Sequence, residues 1–287
     1  MPEDGAWPTV RAFLVERLPR VAPARIDAMF ADRRFVDQDG PLEPGAPYAP
    51  GTFVWFHRDL PDEVPVPFDI TIVHRDDGIV VADKPHFLST IPRGQHITET
   101  ALVRLRRQLG EPALVPAHRL DRPTAGLVLF VVRPELRGRY QTMFRDRLVH
   151  KEYEAVAAHR PELTLPTVVR SRIVKERGVI RAQEVPGEPN AETRVELLGH
   201  RDGRARYRLL PATGRTHQLR LHMWGLGAPI LGDTFYPTLE DRPLDDFTRP
   251  LQLLARVLAF DDPVTGEPRR FESTLRLAAW HSPADWC

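Results

Sequence analysis

Residues 118–132 read HRLDRPTAGLVLFVV. The second half of this stretch, residues 126–132, is a short continuous apolar run, which is the pattern of a strand buried on both faces. The first half holds Asp121 between two arginines, and positive neighbours favour the ionised form of an acid. We therefore expect a carboxylate at the mouth of a buried strand. Such a group can act as a nucleophile or a base, or it can serve as a structural cap of a turn through Thr124.

Short strands dominate the chain on both sides of this segment. The pattern predicts strands at residues 70–74, 78–82, 153–158, 194–199, 205–210 and 252–260. It predicts helices at residues 98–109 and 136–148, both rich in arginine. Because strands and helices do not alternate regularly, we expect an α+β domain with a mostly antiparallel, mixed sheet flanked by helices.

A smaller unit precedes a proline-rich boundary. Apolar spacing predicts helices at residues 10–18, capped by Thr9, and at 22–30, followed by short segments with turn signals and a strand at 52–57. Three prolines fall between residues 61 and 67, and proline stiffens an extended chain. We therefore divide the chain into a small α+β domain (1–60), a linker (61–68) and a large domain (69–287).

The net charge of +1, from 40 Lys and Arg against 39 Asp and Glu, excludes a strongly cationic tail protein. The charge is unevenly distributed, however. Residues 91–151 hold twelve Lys or Arg and five acids (net +7), and residues 200–225 hold six Arg and one acid (net +5). Residues 232–262 hold three Arg and seven acids (net −4). Two basic segments suit a polyanionic partner.

The single cysteine, Cys287, excludes an internal disulfide framework. The sequence shows no signal peptide and no apolar run of membrane length, so we expect a cytoplasmic protein with no membrane partner. There is no G-x-G-x-x-G and no G-x-x-x-x-G-K-[ST] pattern, and we expect no cofactor and no metal.

Two further motifs carry polar chemistry. Residues 213–223 read TGRTHQLRLHM, in which nearly every side chain can bond to a phosphate or a base edge. Alternatively, this is an exposed polar helix start capped by Thr213. Residues 151–153 read KEY and open a predicted strand, where a tyrosine is ordinarily a core residue.

Taken together and in this order, the three motifs resemble the RluA-type RNA pseudouridine synthases. The resemblance rests on HRLD-x-x-T-x-G followed by an apolar strand, K-x-Y, and G-R-T-H-Q-L-R with the later residues PILGD and Tyr236, and it covers roughly residues 66–275. It implies the pseudouridine synthase fold, conversion of uridine to pseudouridine in structured RNA (ribosomal or transfer RNA), and a monomer without cofactor. The smaller unit is similar to an S4-type RNA-binding domain with weakened RNA affinity.

The resemblance also implies roles for single residues. Asp121 matches the catalytic carboxylate, as a nucleophile or as a base, and Arg220 matches the cation that pairs with it. Tyr153 matches the aromatic residue that stacks on the target base, and Leu253 matches the apolar wall of the pocket. Arg119 matches a residue that enters the helix stack after the base has flipped out. The remaining expected RNA contacts are Arg122, Thr124, Arg215, His217 and Gln218.

Two positions depart from the family pattern. Ala125 stands where the family usually has Ser, and Leu254 stands where His often occurs. We expect the first change to be tolerated. The second puts a polar contact from that position in question.

Other classes fit less well. A protein kinase needs Asp directly after His-Arg, where this chain has Leu120. A zinc hydrolase motif would need a glutamate between closely spaced histidines, which His217 and His222 lack. A non-catalytic RNA-binding protein of the same fold would be expected to lose Asp121, Tyr153 or Arg220. A glycosidase would need a second placed carboxylate.

Overall fold

A computed structural model describes residues 1–19, 21–56 and 63–286. The chain divides into two compact units, Met1–Pro61 and Asp62–Cys287. The division falls at the start of the proline-rich segment that the sequence assigns to a linker. His57, the end of a predicted strand, and residues 61–62 of that linker lie outside the described residues. Residues 63–70 contain no helix or strand.

The first unit is a pair of helices with a small sheet. Its elements are α1 (Val10–Arg17), α2 (Pro23–Ala31), β1 (Phe35–Asp37), β2 (Gly40–Pro41) and β3 (Trp55–Phe56). Thr9 caps α1 by accepting a hydrogen bond from the Ala12 amide, as the sequence predicts. The strand predicted at 52–57 is shorter than expected, with only β3 formed. The assignment of this unit to the S4 type stays a prediction.

The second unit is built on one large sheet. Its strands are β4 (Thr71–Arg75), β5 (Ile79–Lys84), β6 (Val115–Pro116), β7 (Ala125–Val131), β8 (His150–Ala158), β9 (Thr167–Val174), β10 (Gln183–Val185), β11 (Ala191–Arg201), β12 (Arg204–Pro211), β13 (Leu253–Asp261) and β14 (Pro268–Glu272). Its helices are α3 (Ala101–Leu109), α4 (Arg137–Arg145), α5 (Gln218–Gly225), α6 (Ala278–His281) and α7 (Pro283–Trp286).

The order of the strands is β10-β9-β11-β12-β8-β13-β7-β5-β4, with β14 beside β13 and β6 beside β7. The pairs are antiparallel except for β13 and β7, which run parallel. The predicted α+β class with a mixed, mostly antiparallel sheet is therefore confirmed. Within the described part of the chain, no helix is long and apolar enough to cross a membrane.

β7 is the buried strand predicted from the apolar run, and both of its faces are covered. Leu127 and Leu129 pack in the cluster that includes Tyr140 of α4. Val128 and Phe130 point the other way and pack in the cluster that includes α3. Because successive residues of a strand alternate between faces, a strand between two helices needs apolar residues at every position.

Gly126 allows β13 to lie against the start of β7. Its φ is +111°, and a Cβ at this position would lie 2.3 Å from the Ala255 oxygen. Any other residue would therefore separate the two strands. The glycine of the HRLD-x-x-T-x-G motif thus holds together the sheet beside Asp121.

Candidate active site

The start of the loop that carries Asp121 is attached to β7 by His118, three positions before the carboxylate. The Nε2 atom of His118 accepts a hydrogen bond from the Leu129 amide (3.1 Å), and its ring stacks on Phe144 with centroids 4.3 Å apart. Burial lowers the pKa of His118 to about 3, so the imidazole is neutral and keeps the lone pair that this bond needs. His118 therefore anchors the loop to β7.

The Asp121 carboxylate lies in an open position between two basic side chains. It is 35% exposed, and its Oδ2 atom is 3.9 Å from Nε2 of His217 and 3.9 Å from Nη1 of Arg220. Both distances exceed hydrogen-bond length. The carboxylate is thus near a cation without being bonded to it, which leaves its oxygens free for a substrate.

Arg220 pairs mainly with an acid that the sequence analysis did not assign. Its Nε and Nη2 atoms donate to Asp233 at 2.8 and 2.6 Å, and both side chains are almost completely buried. The remaining Nη1 atom is buried without a hydrogen-bond partner and faces Asp121. The structure therefore contains the predicted ion pair of Arg220 with Asp121 at 3.9 Å, and adds a closer, bidentate pair of Arg220 with Asp233.

An aromatic and an aliphatic side chain line the cleft beside Asp121. Tyr153 projects from β8 and Leu253 from the start of β13, and both line the same cleft as the carboxylate. Burial, and secondarily the charge of Asp121, raises the pKa of Tyr153, so its phenol stays protonated. These two residues lie where the sequence places a stacking residue and a pocket wall.

The cleft has a volume of about 880 Å³ and a basic rim. Arg119, Arg147 and Lys151 line it, and none of them has a carboxylate within 4 Å among the described residues. Arg122 also lines the cleft, and its Nε atom is buried without a partner. Burial, and then the neighbouring Arg147, lowers the pKa of Lys151. Cations that lack internal partners are available to an anionic ligand.

The G-R-T-H-Q segment has mainly internal contacts. Gln218 is buried: its oxygen accepts from Thr213 Oγ1 and the Arg215 amide, and its nitrogen donates to Glu192 O and Thr193 Oγ1. Gln218 lines the cleft, but each of its hydrogen-bonding positions is used inside the protein, so a contact of Gln218 with RNA stays a prediction. Arg215 is exposed at the rim, although its Nε atom donates to the Asn190 carbonyl.

His217 occupies the turn into α5 with a left-handed backbone (φ 58°). The Tyr236 hydroxyl donates to the Ala182 carbonyl, so the 2.9 Å contact between that hydroxyl and His217 Nδ1 requires a proton on Nδ1. Burial lowers the pKa of His217 to about 4, although Asp121 opposes the shift. The Nε2 lone pair therefore faces the cleft.

Some predicted RNA contacts are less accessible than expected. Thr124 lines the cleft but is only 3% exposed. The arginine-rich helix α3 also uses part of its charge inside the protein: Arg104 donates to the carbonyls of Val66 and Phe68, and Arg106 donates to the carbonyl of Leu114. These two arginines of α3 hold the protein together instead of presenting a free basic face.

The two departures from the family pattern lie next to each other and outside the cleft. Leu254 of β13 is paired with Ala125 of β7, and both are completely buried with Val156, Leu277 and Trp286. The polar contact that a histidine at position 254 would make therefore belongs to the packing of the C-terminal segment against the sheet. It does not concern the surroundings of Asp121.

Three polar residues near Asp121 were not predicted from the sequence as site residues: Lys84, Thr90 and Asp233. Asp233 was visible only as part of the PILGD element. Lys84 and Thr90 are 0% and 3% exposed and lie on the segment that precedes α3. Burial lowers the pKa of Lys84 to about 7, against the influence of Asp121. The signal for Lys84 was a charged pair, Asp83 and Lys84, at the end of the otherwise apolar β5. Over the described ranges, no group of three or more metal-ligating side chains comes together.

Comparisons with known proteins identify the family. The family model described as RNA pseudouridylate synthase matches residues 78–224. The dual-specificity RNA pseudouridine synthase RluA of Pasteurella multocida is 37% identical over 213 residues, covering 69% of this chain and 90% of that protein. The RluA protein of Escherichia coli K12 is 32% identical over 217 residues, covering 71% and 92%.

A solved structure shows the same fold. The human RNA pseudouridylate synthase domain containing 4 superposes with a TM-score of 0.58 and 28% identity, covering 75% of this chain and 92% of that one. The matched family region contains Asp121, Tyr153 and Arg220. The chain therefore belongs to the RluA-type RNA pseudouridine synthases, a family of isomerases.

Proposed function

We propose that this protein isomerises specific uridines in structured RNA and that Asp121 is the reacting carboxylate. The observation that carries the proposal is an open carboxylate, 3.9 Å from a buried guanidinium, within a cleft walled by an aromatic and an apolar residue. The reaction breaks the bond from N1 of uracil to the ribose and joins C5 to the same ribose carbon. C5 loses a proton and N1 gains one, so no external reactant is needed.

The target base has to leave its helix to reach this carboxylate. Extruding a nucleotide costs a few kcal/mol, and stacking on an aromatic side chain returns about 1–3 kcal/mol. Tyr153 supplies the aromatic face, and Leu253 of the neighbouring strand supplies an apolar part of the cleft wall. We infer that Arg119, which is exposed and lies two residues before Asp121, fills the gap left in the helix.

The rim residues supply the affinity for the RNA backbone. Phosphate contacts hold a nucleic acid in register without reading its sequence. Arg147 and Lys151 lie on the same rim as Arg119, and all three lack internal carboxylate partners within the described residues. We infer that they bind phosphates flanking the extruded nucleotide.

Ribosomal and transfer RNA are both candidate substrates. One relative is named ribosomal large subunit pseudouridine synthase D (Vibrio parahaemolyticus; 32% identical over 236 residues, covering 77% of this chain and 69% of that one). Other relatives carry the name dual-specificity synthase. We propose that the substrate is a structured segment of one of these two RNA classes.

Release of tritium from RNA labelled at C5 of uridine tests the proposal, because the new bond at C5 displaces that hydrogen. Purified protein is incubated separately with ribosomal RNA and transfer RNA. We expect release from at least one of them, no release with Asp121→Asn, and RNA affinity within about threefold of wild type.

Asp77→Asn, the same charge change in the exposed β4–β5 turn, is the control and should behave like the wild type. Tritium release by pure Asp121→Asn would overturn the assignment. Tight RNA binding by the wild-type protein without release from any RNA would instead identify a non-catalytic RNA-binding protein. If tritium is released, mapping of pseudouridines in a deletion strain will identify the target.

A further inference from the structure

The position of the Asp121 carboxylate depends on the backbone on either side of it. No hydrogen bond to its oxygens occurs among residues 1–19, 21–56 and 63–286, and both Nη1 of Arg220 and Nε2 of the neutral His217 are 3.9 Å away. The Thr124 amide donates to the Asp121 carbonyl, which bends the chain but leaves the side chain unrestrained. A reactive oxygen that is free of donors needs another means of being held in place.

A single short segment, residues 84–90, holds this backbone. The Thr90 hydroxyl donates to the Leu120 carbonyl at 2.8 Å and accepts from the Leu120 amide at 3.1 Å. It thereby clamps both backbone groups of the residue that precedes Asp121. Thr90 is 3% exposed, so water does not compete for these bonds.

The same segment also holds the residues that follow Asp121. The Lys84 ammonium donates to the Arg122 carbonyl at 3.3 Å, as well as to two carbonyls of its own turn. The Nδ1 atom of His86 donates to the Pro123 carbonyl at 2.7 Å. Residues 120, 122 and 123 are therefore all held by side chains from one turn, and Asp121 lies between them.

The turn itself has a strained conformation. Phe87 has a φ of +63°, which is unfavourable for any residue with a Cβ and most unusual for a bulky one. Its ring packs against Phe68 and Phe247, with centroids 6.2 and 5.4 Å away. This aromatic packing stabilises Phe87 in its strained conformation. The same turn brings the side chains of Lys84, His86 and Thr90 to the loop of residues 120–123.

We propose that the turn from Lys84 to Thr90 is the element that positions the Asp121 carboxylate, through its hydrogen bonds to the backbone of residues 120–123. Thr90 and His86 are positioning residues for the reaction: Thr90 lines the cleft, but its hydroxyl is bonded to Leu120, and His86 is bonded to Pro123. The proposal rests on the proposed function of Asp121. It requires that loss of the hydrogen bonds made by Thr90 or by His86 reduces kcat and leaves RNA binding nearly unchanged.

Two matched pairs of variants test this proposal. Thr90→Val removes the hydroxyl at constant shape, whereas Thr90→Ser keeps it. His86→Leu removes the donor, whereas His86→Asn places an amide nitrogen where Nδ1 lies. Because a misplaced reacting group costs up to about a hundredfold in rate, we expect Thr90→Val and His86→Leu to lose roughly ten- to a hundredfold in kcat. Thr90→Ser and His86→Asn should stay within about threefold.

The readouts separate positioning from folding. RNA affinity, KM and melting temperature are measured for every variant, and Thr100→Val serves as the control because Thr100 is buried and caps α3 nearby. We expect Thr100→Val to lower the melting temperature without lowering kcat. If Thr90→Val does not fold, the His86 pair still decides the question.

Folded Thr90→Val and His86→Leu with kcat within threefold of wild type would overturn the proposal. The proposal would also be overturned if Thr90→Ser and His86→Asn lost as much kcat as Thr90→Val and His86→Leu. The result for Asp121→Asn is independent of these outcomes. An inactive Asp121→Asn with a fully active Thr90→Val would retain the proposed function and reject only the positioning turn.

Discussion

Replacing Asp233 by asparagine tests how the protein keeps a guanidinium buried beneath its cleft. Asp233 accepts two hydrogen bonds from Arg220, at 2.8 and 2.6 Å, and the exposed fractions of the two side chains are 1% and 2%. Its Oδ1 atom also accepts from the amides of Phe235 and Tyr236. An asparagine can keep the oxygen contacts only by turning its own N–H groups towards the arginine.

The expected loss of stability is large. Removing one partner of a buried ion pair leaves an uncompensated charge and costs about 3–5 kcal/mol. For a domain of about 150–250 residues, each kcal/mol lowers the melting temperature by about 2–4 °C. Asp233→Asn should therefore lower the melting temperature of the second unit by roughly 6–20 °C, as measured by calorimetry and urea unfolding.

Asp121→Asn is the matched control, because it removes a carboxylate beside the same arginine. Asp121 is 35% exposed and 3.9 Å from Arg220, so its loss should cost less than about 1 kcal/mol while abolishing activity. A loss below about 1 kcal/mol for Asp233→Asn would refute the reasoning. Equal losses for the two variants would also refute it, since burial and distance would then not decide the energy.

Three further predictions concern other parts of the second unit. Ala125→Ser and Leu254→His each bury an unpartnered polar group, so each should lower the free energy of unfolding by about 1–3 kcal/mol. Because the two positions are neighbours, the double variant should lose at least about 1 kcal/mol less than the sum of the single losses, as measured by urea unfolding. Strict additivity would contradict this. Lys151→Ala should weaken RNA binding and reduce the slope of log K against log salt by roughly 1, and an unchanged slope would exclude a phosphate contact. Burial lowers the pKa of His118 to about 3 and of His217 to about 4, so the unfolded chain binds their protons first as the pH falls. The free energy of unfolding should then fall between about pH 6.5 and pH 4 by about 1.4 kcal/mol per pH unit for each histidine, and a flat profile over this range would contradict their burial as neutral rings.

The sequence predicts best those elements whose pattern has a single physical solution. The apolar run from Gly126 onward has no polar face, so it can only be a strand covered on both sides, and β7 is such a strand. β9 was missed because it contains Arg170 and Arg172 and three of its eight residues are exposed, which weakens the apolar pattern of a strand. Its position is determined by pairing with β11 far along the chain.

The same distinction holds for the site. Asp121, Tyr153 and Leu253 lie in motifs, and the structure brings them to one cleft. The internal hydrogen bonds of Gln218 and the close pairing of Arg220 with Asp233 could not be predicted from the sequence. A sequence shows which polar groups a side chain has, but not which residue they contact. Hydrogen bonds between segments depend on how the loops pack, and loop packing leaves no periodic signal.

The position of β13 has a consequence for synthesis of the protein. This strand lies between β8 and β7, yet only β14 follows it among the strands described. A growing chain therefore carries two half-sheets, whose open edges on β8 and at the start of β7 can pair with other strands until Leu253–Asp261 emerges. The same strand delivers Leu253 to the cleft. Closure of the sheet and completion of the cleft are then one event, and an RNA that meets the nascent chain earlier encounters no working enzyme.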